Sequence, residues 1–380
     1  MAPFRDSLPC AYSSEQVVAW LKYISLPKSY HQYLDDPTSV PKTFESLRTL
    51  FRCQITTFPY ENLSVHYSPT HLVNIRPDVL YTKMLGPHEG GREGRGGYCM
   101  ELSILFHHML RGVGFNVFMT GIRNRTRTEG VPSGEYQGWQ VCTSHFYPLI
   151  LGVRFLYCSS RAIAEGPQPE FMLERRVMLT YNRTHINNIV HLPSGEKFSV
   201  DVAFGGDGPT SPMRMVSGYA IQNLGPQEVR LVNDHIPKQR LTEPKLWIYQ
   251  YRNGPDKEWD SFYSFAEIEF FQEDFEVQNW WTSAKTLHRW TVLVVRFLRD
   301  GEPVKFDGRK DMTPSEPGFK VAGKVMMVND VVKLNMGGKT SVIHSFNSEE
   351  GRLKALWDYF GIKLTEGEIG CIKGWDMALE

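Results

Sequence analysis

This 380-residue sequence lacks an excess of either charge, with 42 Lys and Arg against 42 Asp and Glu. That balance argues against nucleic acid or an acidic membrane as its main partner. It also lacks a long apolar run. The most apolar stretch, FYPLILGVRFLYC, is too short to span a membrane and carries Arg154. The N-terminus, MAPFRDSLPCAYSSEQ, has no basic-then-apolar order, so no secretory signal is expected. The six cysteines, at 10, 53, 99, 142, 158 and 371, form neither a CxxC pair nor a disulfide-dense pattern. A reduced, cytosolic chain without a metal site is expected. There is no internal repeat and no low-complexity tail. What remains is ordinary globular composition, 41% hydrophobic and 22% charged, in a chain long enough for two or three domains.

The N-terminal third reads mainly as helix. Ser13 and Gln16 have the spacing of a capping box ahead of Val17, Val18 and Leu21. Phe44, Leu47, Leu50 and Phe51 recur at helical spacing. The pattern is cleanest after Cys99. Leu102, Leu105, Phe106, Met109, Leu110 and Val113 share one face, and Gly112 and Gly114 supply a stop. From about Phe115 to Val295 short alternating runs between Gly, Pro and Ser turns predict strands. WTVLVVRFL reads as a buried strand. Near the end, Leu353, Leu356, Trp357 and Phe360 mark a helix between Ser348 and Gly361.

Cys99 stands where a glycine-rich basic loop, GREGRGG, meets that clean helix. A thiol is a nucleophile only as thiolate, and the free N–H groups and dipole of a helix start favour the anion. The same N–H groups could hold an oxyanion. Gly96 and Gly97 allow close approach to a ligand. A buried structural cysteine is the competing reading.

A cysteine nucleophile needs a base and a group to orient that base. THINNIV, HLPSGEK and FSVDVAFG read as strand, turn and strand. With Gly195 left-handed in a three-residue loop, Leu192 pairs with Glu196, Asn187 with Asp201 and His185 with Ala203. His185 and Asp201 then become diagonal neighbours on one face, their Cβ atoms about 7 Å apart. Phe198, Val200, Val202 and Phe204 are expected on the opposite, core-facing side. A satisfied strand histidine and a turn carboxylate are the competing readings. His107, His108, His145 and His191 rank lower, because no predicted hairpin gives them an aspartate.

These residues resemble the arylamine N-acetyltransferase family, most of all its filamentous-fungal members. RGGYCMEL (95–102), FPYENLSVH (58–66), THINNIV, VDVAFGG and NWWTS (279–283) are similar to the family's blocks, in the same order over most of the chain. The resemblance implies an α+β fold: an N-terminal helical bundle (1–115), a central β-barrel (116–240) and a C-terminal α/β lid (241–380), with a cysteine-protease-like core. It implies ping-pong acyl transfer from acetyl-CoA or malonyl-CoA, as co-substrate and not bound cofactor, to an aromatic amine or hydrazine. Cys99 would be the nucleophile, His185 the base and Asp201 its orienting group. Arg95 and Glu101 would brace the nucleophile loop as a charge pair. Tyr60 and Phe204 would line the acceptor pocket. Trp139, Thr184, Gly205 and Gly206 would lie along the coenzyme A channel.

Tyr60 and Ala203 depart from the family's usual Phe and Gly. The largest departure is 141–183, which splits GWQ from THINNIV and has no clean period. Two readings stand for it: a surface loop, or a translated, unspliced intron. Sequencing the transcript separates them. The residues leave open two other functions, a cysteine hydrolase of papain or transglutaminase type and a homologue inactivated by the insert. They carry no sign of an oligomeric state.

Overall fold

The computed structural model describes residues 10–86, 91, 93–128, 131–136, 184–308 and 316–380. Trp139, His145, Cys142, Cys158 and the whole 141–183 stretch lie outside them.

The first third is helical. Helix α1 (Ser14–Tyr23) opens with the expected capping box, Ser13 accepting from the Gln16 N–H and Gln16 answering to the Ser13 N–H. Its apolar stripe buries Val17, Trp20 and Leu21. Trp20 Nε1 donates to Gln54 Oε1 at 2.8 Å in α2 (Phe44–Thr57), so the indole loses no hydrogen bond on burial. A two-residue strand, β1 (Tyr60–Glu61), precedes the short α3 (Leu63–His66) and α4 (Pro77–Met84). Helix α5 (Cys99–Val113) ends where Gly114 adopts φ 94°, the left-handed cap that glycine takes without strain.

Among the described residues, the middle of the chain forms a sheet of nine antiparallel strands. These are β2 (Asn116–Thr128), β3 (Val131–Tyr136), β4 (Thr184–His191), β5 (Lys197–Val200), β6 (Met213–Arg214), β7 (Ala220–Gln222), β8 (Gln227–Asp234), β9 (Leu246–Asn253) and β10 (Asp260–Phe265). The order is β6-β5-β4-β2-β10-β9-β8-β7, with β3 on β2. The sheet curls into a nearly closed barrel. Just past β6, the Gly218 N–H donates to the Leu231 carbonyl of β8 at 2.8 Å, drawing the two ends together. Strands β9 and β10 lie past the boundary expected at 240, yet they hydrogen-bond inside this sheet.

Helix α6 (Asp274–Lys285) leads to a second antiparallel sheet. It contains β11 (Leu293–Arg299), β12 (Val321–Val328), β13 (Val331–Asn335) and β14 (Ser341–Ser345). Strand β1 completes its edge, Tyr60 opposite Val295 and Glu61 opposite Val294. The N-terminal helical region is thus stitched into the C-terminal sheet. Helix α7 (Glu349–Phe360) has Ser348 as N-cap and Gly361 as left-handed C-cap, as the sequence pattern predicts. It packs Leu356 and Phe360 with Val294, Val325 and Met327 of the sheet. The short α8 (Glu366–Gly370) follows. No helix among the described residues is long and apolar enough to cross a membrane.

Candidate active site

Cys99 is the first residue of α5. Its N-cap, Tyr98, is extended, and the N3 carboxylate of Glu101 accepts from the Tyr98 N–H at 3.0 Å. The sequence RGGYCME therefore caps its own helix. The thiol is buried, with Sγ 4.0 Å from the Thr184 carbonyl on β4. Burial pushes this thiol up to about 12. The Met100 N–H at the helix start pulls the other way, and the Asp201 and Glu101 charges add to the rise. The helix start alone does not make the thiolate expected from the sequence, because desolvation outweighs it. So placed, the thiol stays protonated unless a neighbouring group takes its proton.

The residue next in the chain to Thr184 is His185. The β4–β5 hairpin has the register expected, with Asn188 opposite Val200, Val190 opposite Phe198 and Gly195 at φ 87°. It carries His185 and Asp201 to one face, where His185 Nε2 lies 2.8 Å from Asp201 Oδ2. The acceptor carboxylate assigns the proton to Nε2 and leaves Nδ1 as the ring's acceptor. Asp201 is itself held. The Tyr263 hydroxyl of β10 donates to Oδ2 at 2.9 Å and the Ala203 N–H donates to Oδ1 at 3.0 Å. Burial, together with the Asp201 charge, raises the Tyr263 phenol well above its ordinary value, so it stays a donor. Phe198, Val200 and Val202 face the core as expected. Phe204 does not join them. The chain turns after Val202, and the Phe204 ring sits 5.0 Å from the His185 ring.

The expected charge pair between Arg95 and Glu101 is not the one formed. Arg95 Nε donates to Glu61 Oε1 at 3.0 Å, and Nη1 donates to Glu368 Oε1 at 2.6 Å. Lys83 takes Glu101 at 2.7 Å and Glu61 at 3.0 Å. The reason is positional: Glu101 is committed to the Tyr98 N–H, while β1 delivers Glu61 to the loop. The Glu61 N–H donates to the Gly97 carbonyl at 2.9 Å. Burial acts to raise Glu61, but Arg95 and Lys83 outweigh it and hold the carboxyl down at about 2. For Glu101 burial wins over Lys83, and its carboxyl is raised.

Tyr60, Phe204, Gly205 and Gly206 come together. A Cβ on Gly205, at φ 66°, would meet the Tyr60 ring at 3.7 Å. The Tyr60 hydroxyl lies 3.3 Å from His288 Nε2, a contact that phenylalanine could not make. Lys324 of β12 donates to the Gly206 carbonyl.

Helix α6 holds the residue before Cys99 and the residue before His185. The Tyr98 hydroxyl bonds to Asn279 and, at 3.2 Å, to Ser283 Oγ. The Thr184 hydroxyl lies 2.5 Å from Thr282 Oγ1 and donates to the Gln278 carbonyl at 3.3 Å. Asn279, Thr282 and Ser283 fall in the NWWTS block, which signals a resemblance but no partner. Tyr263 has no sequence signal, since it looks like any aromatic of a barrel strand. Of the competing histidines, His107 is buried against Asn188 Oδ1 at 3.2 Å, and burial drives its imidazole well below the ordinary value. Cys10, Cys53, Cys99 and Cys371 are free thiols. Among the described residues no group of His, Cys, Asp and Glu could hold a metal ion.

A family model described as N-acetyltransferase matches residues 43–135 and 171–307, over half of the chain. The gap between the two matches overlaps the aperiodic stretch. The N-malonyltransferase FDB2 of Gibberella moniliformis is 27% identical, over 96% of this chain and 92% of its own. The solved arylamine N-acetyltransferase of Salmonella typhimurium covers 95% of this chain and 98% of its own at 21% identity, with TM-score 0.62. The Mycobacterium marinum arylamine N-acetyltransferase in complex with CoA has TM-score 0.60 at 17% identity, covering 94% of this chain and 99% of its own. These two share the fold. With the family model matched across the helical region and the barrel, the chain belongs to the arylamine N-acetyltransferase family.

Proposed function

We propose that this protein moves an acetyl or malonyl group from coenzyme A to an aromatic amine or hydrazine, by a ping-pong reaction through a thioester on Cys99. One observation carries this reading. A thiol at a helix start lies against the strand residue that precedes a histidine, and that histidine is held at 2.8 Å by a buried carboxylate.

His185 Nδ1 takes the proton of the Cys99 thiol as Sγ attacks the thioester carbonyl of the donor. Asp201 stabilises the imidazolium that results. The N–H groups at the start of α5 hold the oxyanion. The tetrahedral species breaks its bond to the coenzyme A sulfur, which leaves with the proton from His185. The amine then attacks acyl-Cys99 and gives a proton to His185. The Cys99 sulfur leaves and recovers that proton, so the enzyme is regenerated and no external reductant or oxidant is used.

Tyr60 and Phe204 line the acceptor side, and Thr184, Gly205 and Gly206 line the coenzyme A side. Similarity to an N-malonyltransferase along nearly the whole of both chains favours a malonyl donor. Lys324, on the Gly206 carbonyl, is a cation suited to its free carboxylate.

The test is a donor screen of wild type and Cys99→Ala with one arylamine, on acetyl-, propionyl- and malonyl-CoA. Turnover by wild type and its loss in Cys99→Ala are expected. Turnover surviving in Cys99→Ala overturns the mechanism. Hydrolysis of peptide esters without acylation by any coenzyme A thioester would assign the same triad to a hydrolase instead.

A further inference from the structure

Three successive residues of the nucleophile loop are fastened to the C-terminal segment. The Glu93 N–H donates to the Lys363 carbonyl at 3.1 Å, and the Lys363 N–H returns a bond at 3.0 Å. Gly94, at φ 65°, lies so close that a Cβ would sit 1.9 Å from the Gly361 carbonyl oxygen. Arg95 takes Glu368. Cys99 follows four residues later.

The segment is a firm support. Ile362, Leu364 and Ile372 are buried in one cluster with Leu63, Val294 and Val325. Local sequence also aims the Glu368 carboxylate. Thr365 and Glu368 form a capping box in which Oε2 accepts from the Thr365 N–H at 2.8 Å and from its hydroxyl at 3.1 Å. Oε1 is thereby presented to Arg95. A continuous chain of charge runs from Glu368 through Arg95, Glu61, Lys83 and Glu101 to the N–H of Tyr98. Removing one partner from such a buried set leaves an uncompensated charge, and the remaining groups must shift.

We infer that the segment 361–370 sets the position of the nucleophile loop, and that Glu368 is a positioning residue for Cys99. The inference rests on the proposed role of Cys99. It reaches the reaction centre only through Arg95 and the groups beyond it, so its effect is on where the thiol stands.

Glu368→Gln separates this role from helix capping, because glutamine also completes a capping box while losing the charge that faces Arg95. Thr365→Ala is the converse control. Alkylation of Cys99 by iodoacetamide is followed by mass spectrometry across the neutral pH range, together with kcat and KM for the acyl-CoA. Glu368→Gln is expected to slow alkylation and kcat about tenfold, within the ~100-fold that a 1 Å displacement can cost, and to leave KM near wild type. Glu368→Asp retracts the charge by one methylene and is expected to fall between. Thr365→Ala loses only the hydroxyl contact and keeps the backbone N–H that holds Oε2, so its loss is expected to be much smaller than that of Glu368→Gln. Wild-type alkylation and kcat in Glu368→Gln overturn the inference. So does an equal loss in Thr365→Ala, which would assign the effect to capping. A wild-type rate in Glu368→Asp overturns it even where the Gln variant does not fold. If Cys99 of the wild type labels no faster than Cys10 or Cys371, the proposed mechanism fails instead.

Discussion

Asp201→Asn probes the proposed triad through its most enclosed member. The carboxylate accepts three bonds: His185 and Tyr263 on Oδ2, and the Ala203 N–H on Oδ1. An amide cannot satisfy all three. With its oxygen toward His185, its NH2 faces the Ala203 N–H, donor against donor, and the imidazolium loses its counter-charge. With its NH2 toward His185, Nε2 must become an acceptor. The ring proton then moves to Nδ1, the nitrogen that receives the Cys99 proton in the proposed mechanism. Leaving one such group unsatisfied costs about 1–3 kcal/mol of stability. The tautomer error is worth far more to the reaction. In serine-protease triads the same change lowers kcat about 10⁴-fold, or roughly 5.4 kcal/mol at 1.36 kcal/mol per tenfold. Acylation of Cys99 measured in a single turnover, beside thermal melting by circular dichroism, separates the two effects. A well-folded Asp201→Asn protein that acylates within about tenfold of wild type would refute the reasoning.

Other consequences follow from the same geometry. With burial holding the Cys99 thiol at about 12, His185→Gln has no proton acceptor, and its alkylation rate should climb about tenfold per pH unit through the alkaline range. A plateau near neutral pH in that variant would show that His185 does not take the proton. A Cβ on Gly96 would lie 1.8 Å from the Pro59 carbonyl oxygen. Gly96→Ala should therefore cost about 1–3 kcal/mol of stability and pull β1 from the loop before Cys99, and an unaltered denaturation midpoint and kcat would contradict this. Buried His66 and His107 should make the fold sensitive to acid. Burial, reinforced by nearby charges, depresses His66 from 6.5 to about 3 and His107 well below 6.5. The unfolded chain then binds more protons below 6.5. Stability is fully present above that pH and is lost as pH falls, by about 1.4 kcal/mol per unit for each histidine. Melting temperature against pH in a His66→Gln/His107→Gln double variant should have a shallower acid slope than wild type, and an equal slope would count against the assignment.

Local pattern made much of the site legible. The count of residues through the Leu192–Glu196 loop sets which residues oppose each other, so His185 and Asp201 fall on one face before any tertiary contact is considered. The capped, periodic run after Tyr98 likewise places Cys99 at a helix start. Both depend on neighbours in sequence, where backbone geometry transmits position from residue to residue. Phe204 packs against a core cluster, but not that of Phe198, Val200 and Val202, because alternation stops where the chain turns after Val202.

The partners of Arg95 illustrate the other limit. Glu101 is six residues away and has the right charge, but its carboxylate caps Tyr98, and Arg95 finds Glu61 and Glu368 instead. No period or spacing links residues so far apart; only the joining of β1 and the C-terminal segment to the loop does. Helix α6 is the same kind of case. It reaches Tyr98 and Thr184 together, and Tyr263 reaches Asp201 from across the barrel. The sequence alone thus determined the residue types, the helix start and the hairpin register, since these follow from short-range geometry. Tertiary structure decided which charges pair, what anchors His185 and Asp201 and how far burial raises the thiol, because those depend on which distant surfaces exclude water from one another.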